Sequence, residues 1–528
     1  MNLTFPHSAA ALRLWRCLWA IGLAASVFAA APARSATLLV ERTENPAELA
    51  GIAAKRWTRS RPVTINPDVL QDLRSGNAAE LTLETFDGDS YVVRLTRKFR
   101  LPSGGELWSG EAADQPGSNV HLVFSDHSVS LGANIIGKPP YALRPVGADQ
   151  YRLCEIDLTQ GEECCTLHRA PVTAGTVPGR GAKPQSLNPA SESEFMLVDV
   201  VILYTPAARV AAGGKSAIEN EAWMALNDAN DVHDNSKTLV HLRLVALREI
   251  SYTEKSTIQE DLRGTTNSTQ AFGIELSRIR EAYGADLVSV FVERTGGANG
   301  IAWTPEKEEQ IGTGIFSIVK WDHAYSGLTF AHEIGHSFGA GHYDAESPLF
   351  PYSRGYLMTG GLYRTVMASD PTSFFIKRVK HYSNPDVEYV DPVGVPYLTG
   401  NRATADNART IRQTKQRTRD TGKPTSFYAR FVPQTSNPFT GPNFLPPGQG
   451  SEYYPSSHLE YLFGAIQPGP FGTTTTIPSV IRLVGFPADE TAVIQLDPAQ
   501  RFNEKLTISR PSLLVKRGTS GSVVIGPP

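Results

Sequence analysis

His332-Glu333-Ile334-Gly335-His336-Ser337-Phe338-Gly339-Ala340-Gly341-His342 decides how the rest of the chain is read. Histidines four apart stand one turn apart on one face of a helix. Both imidazoles then reach a single Zn²⁺, and Glu333 faces a water on that ion. A third ligand six residues after His336 cannot share that face, so the helix must stop. Gly339 supplies the reversal, because glycine takes positive φ without steric cost. The string predicts His332, His336 and His342 as metal ligands and Glu333 as a catalytic base. The bland alternative is a His-rich amphipathic helix without a metal.

Working outward, an α/β layer precedes this string. Leu197 to Tyr204 is a near-continuous apolar strand, the pattern of a sheet interior, and Thr205-Pro206 ends it. Ile218, Ala222, Ala225 and Ala229 mark one face of a helix. Leu239 to Ile250 reads as the next strand, Ala271 to Tyr283 as a helix, and Ala285 to Val292 as a third strand. This order predicts parallel pairing. The Gly-rich run from Gly296 leads to a short strand ending near Trp303, either an ordinary turn or a sheet edge that holds extended peptide. Phe316 to Val319 is a further strand, and Ser326 or Thr329 starts the helix of the histidines. After His342, Met367 stands where a tight turn can pass beneath the ligands, although a lone Met is usually core filler. Ala403 to Arg417 is a closing helix with its basic residues on a solvated face.

At 528 residues the chain exceeds a single core. Its net charge of −3 offers nothing that would attract nucleic acid or an anionic membrane. Residues 1–35 read as a secretory signal: Arg13 and Arg16, an apolar run from Cys17, then an Ala31-Pro32-Ala33 site. An uncleaved anchor is the alternative; no later stretch reaches membrane-spanning length. Residues 36–168 are β-rich, with runs such as Tyr91 to Leu95 and Val120 to Phe124, and hold no catalytic constellation. A propeptide that chaperones folding and covers the cleft is the first reading, a permanent β-domain the second. Its end carries Cys154, Cys164 and Cys165. A thiolate from Cys164 or Cys165 is a candidate inhibitory zinc ligand; a disulfide from Cys154 to one of them is the structural alternative.

Residues 169–194 form a linker, with Arg180 and Lys183 as processing candidates, and 433–450 form a second, Pro-rich one. Residues 451–528 hold short β-type runs, expected as a small sandwich or a few solenoid coils of unknown role.

The zinc string is the H-E-x-x-H-x-x-G-x-x-H signature of the metzincins. With it stand Asp199 to Arg209, Val366-Met367-Ala368-Ser369, Tyr382-Ser383-Asn384-Pro385-Asp386 and Thr404 to Arg409. On these residues the chain from about 195 to 432 resembles the reprolysin-like (adamalysin) metzincins, in particular the bacterial peptidyl-aspartate metallopeptidase type. Leu107-Trp108-Ser109-Gly110 extends the likeness into that group's propeptide. The resemblance implies zinc on the three histidines, Glu333 as base and Met367 as the Met-turn. Tyr343 departs from it, standing where adamalysins often carry Asp, with Asp344 next. Ser369 argues against the astacin and serralysin groups, which have Tyr there.

The expectation is a multidomain chain: a β-rich propeptide, an α/β metzincin domain (195–432) with mixed sheet and active-site helix, and a small β-rich C-terminal segment. Its function would be that of a secreted zinc endopeptidase made as a zymogen. Protein or peptide substrates and the chain's own propeptide would be its partners. Calcium is not derivable from the sequence. A non-catalytic zinc-scaffold binding protein or an adhesin is the competing class; retention of Glu333 disfavours it.

Overall fold

The computed structural model describes residues 36–419, except 45–56, 76–77, 102–104, 126–127, 148, 159–191, 194, 284, 295 and 369–375, and beyond them the backbone of six short strands. Cys164, Cys165, Ser369, the signal segment and most of both expected linkers lie outside the described residues. No described helix is long and apolar enough to cross a membrane.

The apolar run becomes β10 (Met196–Tyr204), with β11 (Val240–Glu249) and β12 (Leu287–Val292) parallel on either side. A strand covered on both faces has no solvent side, which is why its sequence lacks alternation. β14 (Phe316–Lys320) adds in parallel to β12, and β13 (Gly300–Ala302) closes the sheet antiparallel, giving the order β11-β10-β12-β14-β13. The Gly-rich run therefore leads into an edge strand. Asp199, the polar residue inside the apolar run, forms a two-bond pair with Arg243 of β11 at 2.5 and 2.6 Å. Thr205 ends β10 but also caps a helix, α2 (Pro206–Ala212): its hydroxyl accepts from the Ala208 amide, and Pro206 fills a first-turn position where no N–H is needed.

An N-terminal antiparallel sheet precedes this layer. Its strands are β1 (Leu39–Glu41), β2 (Trp57–Ile65), β3 (Glu80–Glu84), β4 (Ser90–Arg100), β5 (Glu106–Ala112), β6 (Gln115–Ser125), β7 (Ser128–Asn134), β8 (Tyr141–Gly147) and β9 (Gln150–Ile156), in the order β1-β2-β9-β8-β7-β6-β5-β4-β3. A short helix, α1 (Pro67–Ser75), buries Val69 and Leu73 in the core of this sheet.

The long helix α3 (Lys215–Asn235) lies between the two sheets, packing on β11 and also on β6 and β7. Its apolar face is the one the sequence marks. Its polar residues Asn220, Glu221, Asp228 and Asp231 are buried as well, because the N-terminal sheet covers them. The two layers also share apolar packing: Leu101, Leu107 and Val123 join the core built by β10, β12 and α3. Tyr325 lies so close over Gly132 that a Cβ there would stand 2.3 Å from its ring.

Two further helices, α4 (Ile258–Thr265) and α5 (Ala271–Tyr283), precede β12; α4 begins with a reciprocal capping box between Thr257 and Glu260. The helix of the histidines, α6 (Thr329–Ser337), starts at Thr329, while the Ser326 hydroxyl donates to the Asp322 carbonyl. Leu328 holds the N-cap position with φ 54° and no side-chain cap. Below it run the ladder β15 (Tyr363–Arg364)/β16 (Lys377–Arg378) and the hairpin β17 (Glu388–Val390)/β18 (Pro396–Leu398). The closing helix, α7 (Asn407–Arg419), does not keep all its basic residues in solvent. Lys415 is fully buried and its ammonium donates to the Glu192 carbonyl at 3.1 Å.

In the tail, β19 (Phe427–Val432), β22 (Thr491–Leu496), β24 (Ser522–Gly526) and β23 (Leu514–Arg517) form an antiparallel sheet, and β20 (His458–Tyr461) pairs with β21 (Ile481–Val484). Residues 427–432, expected in the preceding domain, thus pair with the tail: a division at 432 would fall between β19 and its partner β22.

Candidate metal centre

α6 carries His332 and His336 one turn apart, and it can press down on the chain beneath because Gly335 has no side chain. A Cβ at Gly335 would stand 2.7 Å from the Met367 sulfur and 2.9 Å from the Tyr382 ring. Gly339 takes φ 87°, the left-handed value that the reversal requires. The chain then brings His342 back to the other two. The three Nε2 atoms form a near-equilateral triangle with sides of 3.0, 3.0 and 3.1 Å.

The other ring nitrogens fix the tautomers. His332 Nδ1 donates to the Val366 carbonyl at 2.8 Å, and His336 Nδ1 donates to the Ala340 carbonyl at 2.9 Å. On these two rings Nε2 is left with its lone pair, aimed at the same point. Burial, followed by the charge of neighbouring groups, pushes both imidazoles well below the usual histidine range, so both are neutral. Lone pairs converging in a dry site repel one another unless a cation lies among them. Tetrahedral Zn–N bonds of about 2.0–2.1 Å put ligand nitrogens roughly 3.3 Å apart, close to the triangle here. The donor set therefore fits zinc. Among the described residues, these histidines are the one His/Cys/Asp/Glu group of metal-binding geometry.

Glu333 is fully buried on the same helix, with its carboxylate against the edge strand: a Cβ on Gly300 would lie 2.3 Å from Glu333 Oε1. Met367 is fully buried, and its sulfur lies under Gly335. Tyr343 and Asp344, the departure noted above, both point to solvent.

Residues that carried no role in the sequence complete the scaffold. Asn407 clamps Gly341 from both sides, accepting from its amide at 3.2 Å and donating to its carbonyl at 3.0 Å, which fixes the approach to His342. The Tyr382 hydroxyl donates to the Ala331 carbonyl at 2.7 Å, beside His332. Their only signal was membership in motifs of the resemblance. The carbonyls of Val366 and Ala340 had none, because a backbone acceptor leaves no residue signature. Arg378 donates to the Gly327 carbonyl at 2.7 Å, at the start of α6, and its charge reaches His332.

Residues 220–343 match the family described as "Metallo-peptidase family M12B Reprolysin-like". The peptidyl-Asp metalloendopeptidase of Stenotrophomonas maltophilia (strain R551-3) is 29% identical over 340 residues, 60% of this chain and 76% of that one. The enzyme of the same name from Xanthomonas campestris pv. campestris is 28% identical over 379 residues, 67% of this chain and 86% of that one. Among solved structures, metalloproteinase-II from Bacteroides fragilis aligns with a TM-score of 0.33 at 12% identity, covering 64% of this chain and 92% of that one. The family match, these relatives and the converging histidines lead to one conclusion: the chain is a zinc metalloendopeptidase that resembles the reprolysin-like family.

Proposed function

We propose that the chain is a secreted endopeptidase, made as a zymogen, that hydrolyses peptide bonds with His332, His336 and His342 as zinc ligands, Glu333 as general base and Met367 as the supporting Met-turn. The convergence of the three Nε2 atoms within 3.1 Å of one another carries this reading. A zinc ion there supplies Lewis acidity, lowering the pKa of water toward about 7 and polarising the scissile carbonyl. Glu333, on the next position of the helix, takes the proton of the attacking water and returns it to the leaving amine. The outer edge of β13 offers backbone groups to an extended substrate, which lays the peptide beside that carboxylate.

The relatives' name speaks of aspartate, and we carry a preference for acidic residues over to this chain. Arg378 supports it: it is a cation anchored at the start of α6 whose field reaches the first ligand. The zymogen reading draws on the signal-like residues 1–35 and on the N-terminal sheet.

The test is a casein assay on processed protein with and without o-phenanthroline, alongside Glu333→Ala. Chelation is expected to abolish turnover. The variant is expected to keep stoichiometric zinc and lose at least about 100-fold in kcat. Undiminished turnover in the variant would remove Glu333 from the mechanism.

A further inference from the structure

The face of α3 turned to the N-terminal sheet is built of carboxylates, and the sheet answers each with a base. Glu221 takes Arg144 of β8 at 2.7 Å, with both side chains almost fully buried. Asp228 accepts from His121 of β6 at 2.6 Å and from the Asn119 side-chain amide at 2.8 and 2.9 Å; burial holds that imidazole below the usual histidine range, so this contact is a hydrogen bond to a neutral ring and not an ion pair. Asp231 takes Arg97 of β4 through two bonds of 2.6 and 2.8 Å. Positions 221, 228 and 231 lie on one side of the helix, and β8, β6 and β4 are alternate strands of the sheet. Two strand spacings are about 10 Å, and seven helical residues advance about 10 Å, so the first two pairs fall into register.

Burying ion pairs is a poor way to hold together parts that never separate. Desolvation of the charges consumes most of their attraction, and apolar side chains of the same volume would hold as well or better. The arrangement makes sense where the helix face must also exist without its cover. A carboxylate face left in water is soluble; an apolar one of the same size would aggregate. Lys380, which bonds to both Asp228 and Asp231 from the catalytic side, leaves those two acids a partner when the sheet is gone. The shared packing of Leu101, Leu107 and Val123, meanwhile, holds the sheet in place without any covalent link.

We propose that the N-terminal sheet is a separable subunit, bound to α3 by the Arg144–Glu221 and Arg97–Asp231 ion pairs and the His121–Asp228 hydrogen bond, and retained there non-covalently after the chain is cut between residues 156 and 195. This rests on the zymogen reading and adds to it: cutting the connection does not by itself release the sheet. The partner that the α3 face fits is a surface carrying two guanidiniums and an imidazole at the spacing of alternate strands.

The experiment uses the full chain carrying Glu333→Ala, so that it does not digest itself. The purified protein is nicked with trypsin at Arg180 or Lys183 and passed over a sizing column at micromolar concentration and physiological salt. Both fragments are expected in one peak. Arg97→Glu is expected to weaken the nicked pair at least about tenfold, and Arg97→Lys, which keeps the charge, to lose markedly less. Separation of the wild-type fragments at once would overturn the proposal, and this measurement decides it even where a charge-reversed variant does not fold. Equal affinity of the Arg97→Glu pair would show that the charges do not hold the sheet. Failure of the zymogen reading shows up elsewhere, as full activity of the uncut chain without Glu333→Ala, whatever the column reports.

Discussion

At the scale of single residues, the space around Glu333 is set by an absent side chain. Gly300 faces the carboxylate from the edge strand, and a methyl group there would stand 2.3 Å from Glu333 Oε1 and 2.6 Å from the Thr329 side chain. The Glu333 carboxylate would have to leave its present position. Misplacing a catalytic group by about 1 Å costs on the order of 100-fold in rate. Gly300→Ala is therefore expected to lower kcat by about 10- to 100-fold while zinc content by atomic absorption stays at one per chain. Unchanged kcat would mean that the carboxylate does not need its present position. Arg378 is the second residue whose charge has a definite consequence. If it meets an acidic substrate side chain, Arg378→Met should lower kcat/KM for an aspartyl peptide at least about tenfold more than for its asparaginyl analogue. Equal losses on both peptides would assign Arg378 to support of the Gly327 carbonyl alone.

At the scale of elements, α3 is the most exposed to electrostatic error, since it packs carboxylates in its last turns. Asp234 stands near the helix C-terminus, where a negative charge opposes the helix dipole. Burial, reinforced by repulsion from Asp231, pushes its carboxyl up to about 7. A carboxyl whose folded pKa lies above its unfolded value binds its proton more tightly in the native state. Its contribution is fully present below about pH 4 and is lost as pH rises through 7. Asp234→Asn removes that loss, so the variant's advantage in melting temperature should be roughly 5–10 °C greater at pH 8 than at pH 5. An advantage that does not change with pH would mean the carboxyl titrates normally. The same helix shows where the sequence stops being legible. Ile218, Ala222, Ala225 and Ala229 declare one buried face, but Glu221, Asp228 and Asp231 look like a solvated one. Their burial depends on strands about 100 residues earlier, and no local pattern in α3 reports a cover supplied from that distance. β10 was legible for the opposite reason: covered on both faces, it has to be apolar throughout. Within the site, the spacing of His332 and His336 is a local property of a helix and was readable. The Asn407 clamp on Gly341 joins positions 66 apart and was visible only as a motif without a role.

At the scale of the whole molecule, a metal held by the three histidines would be a structural element as well as a reagent. The three imidazoles tie together α6, the returning segment at 340–342 and the Val366 carbonyl above Met367. Without a cation at their centre, the lone pairs of His332 and His336 face each other across 3.1 Å of buried space. An ion that binds the native fold alone, present at 100 times its dissociation constant, stabilises that fold by about 2.7 kcal/mol. In a unit of some 200 residues, each kcal/mol moves the melting temperature by about 2–4 °C. Removing zinc with o-phenanthroline should therefore lower the calorimetric transition of the catalytic unit by roughly 5–10 °C, and added zinc should restore it. The core of the N-terminal sheet, built from Leu81, Val93, Leu122 and their neighbours, contains none of the histidines. If the two cores melt separately, the transition of this sheet should stay where it is. A catalytic transition that does not move, with the metal shown to be gone, would mean that the hydrogen bonds from Val366 and Ala340 hold the ligand triangle closed by themselves. The ion would then contribute to the reaction and not to the fold.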